Sequence, residues 1–112
     1  MDEKERILLE NFSEYSELAG LALKSKKYNS AATLYFKAIC AAADLFILKK
    51  EGQVPSSHTQ RFRIVQEKYT AIYDILDKDF PFYQDSYTKR LDAESVEVLK
   101  EDAEQLKRML EI

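Results

Sequence analysis

The stretch from Ser30 to Glu51 restricts the fold of this chain more than any other part of it. Wound as a helix, it carries Ala31, Ala32, Leu34, Tyr35, Ala38, Ile39, Ala41, Ala42, Leu45, Phe46 and Leu48. These side chains cover most of the circumference rather than one stripe, so the helix must be surrounded by other elements. Its many alanines let neighbouring backbones come close. The longest apolar run, from Ala38 to Leu48, contains Asp44 and is too short to span a bilayer, which favours burial in protein over burial in lipid. Gly52 follows Lys49 and Lys50 and is a natural stop, because glycine takes the left-handed conformation at little cost.

Flanking segments supply the coat. A first helix is predicted over residues 3–25, with Leu8, Phe12, Tyr15, Ala19 and Ala22 on one face and Ile7, Leu18 and Leu21 widening it. The Lys-rich residues 25–29 end it, and the second helix follows over residues 30–51. A third starts at Ser57, where Ser57-His58-Thr59-Gln60 reads as a capping box. Phe62, Val65, Tyr69, Ile72 and Leu76 are its stripe, and it ends before Pro81, which steers Phe80 out of helical geometry. Residues 82–91 form either a short helix or an ordered loop. The last helix starts from an Asp92 cap and buries Val96, Leu99, Ala103, Leu106 and Leu110. Two Gly and two Pro are too few for the turns of a β-rich domain. The expected fold is all-α: a single domain over residues 1–112, built as an antiparallel up-down bundle of four to five helices.

Charge and residue types exclude much chemistry. The net charge of −3 argues against a generally basic nucleic-acid coat, although Lys24, Lys26, Lys27, Lys37, Lys49 and Lys50 make one stretch locally basic. Cys40 stands alone, and the opening MDEKER is charged, unlike a secretory leader. A cytoplasmic protein without a membrane partner is expected. One Cys and one His cannot build a Cys/His zinc site, and two glycines cannot build a phosphate loop, so neither metal nor cofactor is expected. The carboxylates Glu10, Glu14 and Glu17, and Glu97, Glu101 and Glu104, lack the Glu-x-x-His pairs of di-iron bundles and read as solvated faces.

A few residues could carry a site. His58 is the only imidazole available as a general base, and it stands in the first turn of the third helix. Arg61 and Arg63 flank Phe62 and, with Lys49 and Lys50 across the loop, could form a basic rim for a nucleotide or RNA backbone. The segment FPFYQDSYTKR sets Tyr87 beside Lys89 and Arg90, a mixture that can stack on bases and hold phosphates. The alternative for its aromatics is to close the bundle end or a dimer interface. Cys40, among alanines, reads as a small core residue.

The residues Ala31, Tyr35, Phe36, Ala38, Ile39, Ala41, Ala42 and Leu45, then Gly52, Pro55, Ser57, His58 and Phe62, give the chain a family likeness. In that order they resemble the HEPN domain (higher eukaryotes and prokaryotes nucleotide-binding), in its small stand-alone archaeal and bacterial form. Residues 87–110 are similar to its last bundle helix. The resemblance implies a four- or five-helix bundle that forms a homodimer. It also implies a minimal nucleotidyltransferase as partner protein, in a toxin–antitoxin pair, with RNA or a nucleotide as ligand. Active members are metal-independent ribonucleases with an Arg, four to six residues, then a His. This chain departs from that signature: no Arg precedes His58 at that offset, and no His follows Lys89 and Arg90. A non-catalytic module is therefore the leading expectation. A divergent ribonuclease using His58, Arg61 or Arg90 is the second. A peptide-binding helical scaffold is the third, weakened because no 34-residue repeat is present.

Overall fold

The computed structural model describes residues 2–112, which form five helices and, among those residues, no strand. They are α1 (Glu3–Lys24), α2 (Tyr28–Glu51), α3 (His58–Lys68), α4 (Thr70–Asp85) and α5 (Ala93–Leu110). The all-α bundle expected from the pattern is therefore present. α2 lies at its centre, packed along α1 and against α4 and α5. Ala31, Ala32, Ala38, Ile39, Ala42, Ala43 and Ile47 are sealed from solvent, and Leu76, Leu99 and Leu106 close on them from α4 and α5. Each large aliphatic side chain buried in this way contributes about 1.5–3 kcal/mol. Leu34, also expected inside, is only half-buried.

As one continuous helix of 24 residues with a mean hydropathy of 1.7 in its best window, α2 is long and apolar enough to cross a membrane. The reading of its apolar run as too short is corrected on that point. However, 72% of that window is buried against the other helices, as in the core helix of a globule.

Contacts fix the directions. The Asn29 amide donates to the carbonyls of Ser86 at 3.0 Å and Lys89 at 2.7 Å, and its oxygen accepts from the Leu91 amide at 2.9 Å. Further along α2, Phe36 stacks on Tyr83 at 4.9 Å and Phe46 meets Tyr69 edge-on at 4.8 Å. Numbers rise along α2 as they fall along α4, so the two are antiparallel. The C-terminal ends of α2 and α5 meet around Phe46 and Leu110, so those two run together. α1, α2, α4 and α5 thus alternate in direction. α3 lies outside this alternation. Arg61 pairs with Asp44 and Lys68 with Glu51, the same offset of 17 residues, so α3 runs alongside the last turns of α2. Val65 is the one α3 residue that is fully buried.

Caps match the sequence signals at Ser57, which accepts from the Gln60 amide at 3.1 Å, and at Asp92, which accepts from Ser95 at 2.9 Å. Asp2 also caps α1, accepting from the Glu5 amide at 2.8 Å. Gly52 closes α2 at φ 80°. Three boundaries and one cap contact differ. α2 begins at Tyr28 rather than Ser30, with Lys27 at its N-cap offering no acceptor to the first amides. The Gln60 side chain accepts from Ser56 rather than returning to Ser57. The expected third helix is broken at Tyr69 (φ −136°, ψ 69°), where the Tyr69 hydroxyl and the Lys68 ammonium both reach Glu51. Pro81 lies inside α4, which continues to Asp85. The carbonyl four residues earlier, on Asp77, has no N–H to accept from Pro81, but both residues are exposed, so water can hydrate it.

Candidate functional site

Asp44 is a carboxylate on a helix that otherwise buries carbon, and it is 9% exposed. A charge in that position needs a partner. α3 supplies Arg61, whose Nε reaches Asp44 Oδ1 at 2.7 Å and whose Nη2 reaches Oδ2 at 2.9 Å, a bidentate fork. Burial is the largest single effect and opposes the Arg61 charge, but the Asp44 hydrogen bonds and the Cys40 and Asp44 charges together outweigh it, so its pKa is raised. The remaining nitrogen, Nη1, donates to His58 Nδ1 at 2.8 Å. An arginine is always protonated, so this contact assigns His58 the tautomer with its proton on Nε2.

His58 itself is held below its ordinary pKa. Desolvation is the largest cause, followed by the Arg61 and Lys37 charges, with Asp44 acting the other way. The ring is therefore a neutral N–H donor at pH 7. In an NMR pH titration the sole imidazole should have a midpoint below 6.5, and Arg61→Gln should move it upward. A midpoint above 6.5 in the parent protein would contradict this geometry.

His58, Arg61 and Asp44 share a cleft of about 260 Å³ with Asn11 and Tyr15 of α1 and Tyr83 of α4. Cys40 also lines it, with a thiol that burial pushes up to about 12, so it offers no thiolate nucleophile near neutrality. Aromatic rings converge on His58: Phe80 at 6.0 Å, Tyr83 at 6.1 Å and Phe36 at 6.4 Å. On its other side a shallower groove of about 540 Å³ runs past Phe62, Phe80 and Arg63.

The other sequence candidates do not join this cleft. Tyr87 is 73% exposed and connects to it only through Tyr83, hydroxyl to hydroxyl at 2.9 Å. Lys89 pairs with Asp85 at 3.4 Å on the surface. Lys49 and Lys50 line a different pocket, with Met109 and Leu110, and Lys50 lies over the Phe46 ring, so they do not share the His58 cleft with Arg61. Arg90 instead meets Lys26 and Lys27 around a pocket of about 280 Å³ at the start of α2. Among the described residues none of these three cations has a carboxylate within 4.0 Å. They surround the uncapped, positive end of a 24-residue helix, which adds to their field.

Sequence reasoning missed Asp44 as the anchor of Arg61 and missed the grouping of Lys26 and Lys27 with Arg90. A lone carboxylate inside an apolar run was the available signal for the first, because it demands a cation from elsewhere. Nothing local signals the second, which depends on Asn29 holding the α4–α5 turn in place. Among the described residues no three His, Cys, Asp or Glu side chains converge as metal ligands. Compared with family models, with curated proteins and with solved structures, the chain matches none.

Proposed function

We propose that the chain is a HEPN-like, dimeric helical module that holds RNA or a nucleotide without cleaving it, acting beside a minimal nucleotidyltransferase in a toxin–antitoxin pair. The Asp44–Arg61–His58 chain carries this reading. A ribonuclease of that type needs an Arg free to face phosphate and a His free to exchange protons. Here both prongs of the Arg61 fork rest on Asp44, and His58 Nδ1 is committed to Arg61. Lys26, Lys27 and Arg90 offer a seat for phosphate, and the exposed Tyr87 ring nearby offers a face for a base. The nucleotidyltransferase partner rests on the family likeness alone.

Pairing with a second copy is supported by the outer face of α1. Ile7, Leu18 and Leu21 are 43%, 46% and 54% exposed and lie along one stripe. That stripe borders the cleft through Leu8 and Asn11.

Fluorescence anisotropy with a labelled single-stranded RNA tests the ligand. Binding should weaken as salt rises, and the Lys26→Gln/Lys27→Gln/Arg90→Gln variant should lose at least tenfold in affinity with a shallower salt slope. The RNA should remain intact with or without EDTA. Cleavage that persists in EDTA and disappears in His58→Ala would replace this reading with the ribonuclease. In a mass measurement, Leu18→Glu/Leu21→Glu should be monomeric where the parent is dimeric. A parent that is monomeric at high concentration removes the dimer.

A further inference from the structure

α1 packs along the whole of α2 but touches α5 only lightly. The gap between α1 and α5 has small side chains on both walls, Ser16 from α1 and Ala103 from α5, and it leaves a pocket of about 290 Å³. Phe12 and Ala103 give it an apolar wall, and Tyr35 reaches it from α2. The hydroxyl oxygen of Ser16 is buried and has no hydrogen-bond partner among the described residues. Such orphaned groups are rare in folded proteins and need a cause. Among the described residues Tyr35 also has no hydrogen-bond partner for its hydroxyl, and burial, with Glu104 and Glu97 acting the same way, raises its pKa, so that hydroxyl stays a donor. Lys100 and Lys107 line the same pocket two turns apart on one face of α5, among the described residues without an ion pair within 4.0 Å, and Glu104 between them leaves the lining one positive charge in excess.

We propose that this gap is a binding site, separate from the His58 cleft, for a small organic oxyanion, a carboxylate or a phosphate monoester. Its oxygens accept from the Tyr35 and Ser16 hydroxyls and from Lys100 and Lys107. Its apolar body lies on Phe12 and Ala103. The apolar wall of Phe12 and Ala103 gives nothing to an inorganic ion, so the lining favours an anion with an organic body.

Benzoate and phenyl phosphate, titrated into the ¹⁵N-labelled full chain at constant ionic strength, test the site and separate the two sources. Saturable amide shifts at Ser13, Ser16, Ala103 and Glu104 are expected with one or both probes, the stronger identifying the head group. Affinity should fall about tenfold in Ser16→Ala, which removes only an unpartnered hydroxyl, and in Lys100→Gln/Lys107→Gln, changes that leave the rest of the spectrum in place. Benzyl alcohol, which has the ring without the charge, should shift nothing at saturation. No shifts with either anion, equal shifts with benzyl alcohol, or undiminished binding in the double Lys variant would each overturn the proposal.

Discussion

Replacing Asp79 by asparagine should flatten the loss of stability between pH 5 and pH 8 and leave the variant the more stable protein at pH 8. Asp79 sits on the inner face of α4 with 0% exposure, and neither of its carboxylate oxygens has a hydrogen-bond partner among the described residues. Asp102 comes from α5, also buried, with Lys78 Nζ 3.0 Å from its Oδ2 and 3.1 Å from its Oδ1. Two ionised carboxylates have no proton to share. One proton on Asp79 makes it the donor and Asp102 the acceptor. Burial therefore pushes the Asp79 carboxyl up to about 9, the hydrogen bond and charge of Asp102 act the same way, and Lys78 opposes them. In the unfolded chain the same group titrates near 3.8. The native state thus keeps a proton that the unfolded state releases above pH 4. The stability it contributes is complete below that pH and is lost as pH rises to about 9, at about 1.4 kcal/mol per unit. Over three units the loss is about 4 kcal/mol. The asparagine side chain would not titrate, and its amide can still donate to Asp102. Urea unfolding at pH 5 and pH 8 measures both slopes. Identical slopes in parent and variant would mean that Asp79 is ionised in the folded protein.

How much of this was readable in the sequence depends on whether the cause was local. α2 declared itself because a helix apolar on nearly every side has one stable environment. Ser57, Asp92 and Gly52 declared their boundaries because capping is chemistry within four residues. The break at Tyr69 left no mark, because Phe62, Val65, Tyr69, Ile72 and Leu76 keep helical spacing straight through it. At the break Lys68 and Tyr69 both reach Glu51, 17 and 18 residues away, a contact that local spacing cannot announce. Pro81 was a misleading stop: exposure of Asp77 and Pro81 lets water replace the missing bond while Phe80 and Tyr83 stay packed on Phe36. Tertiary packing overrode the local preference. The residues that gave the family likeness, from Ala31 to Leu45, are all buried on α2. They record what a central helix needs, so they speak to the bundle more directly than to its activity.

The Asp44–Arg61 pair should show opposite behaviour when broken and when removed. Asp44→Ala leaves a guanidinium, 11% exposed as a side chain, with only His58 Nδ1 as partner. An uncompensated buried charge of this kind costs about 3–5 kcal/mol. Replacing both residues by apolar ones of similar volume, Asp44→Leu with Arg61→Met, should cost little, because the desolvation of two ions is then avoided. The difference between the single and double variants in chemical denaturation is the coupling. The damage should also be local. α3 rests on α4 through Phe62, which meets Tyr73 and Phe80, while its ion pairs to α2 are Arg61 and, at the exposed far end, Lys68, so the Asp44 clamp is its main polar tether to α2. In Asp44→Ala the amides of α3 should exchange hydrogen faster, while those of α5 keep the protection that Leu99 and Leu106 give them. If Asp44→Ala costs under about 1 kcal/mol, the range of a solvated surface pair, the pair is not a clamp. Arg61 would then be available to a phosphate in the cleft, and the case against cleavage would lose its foundation.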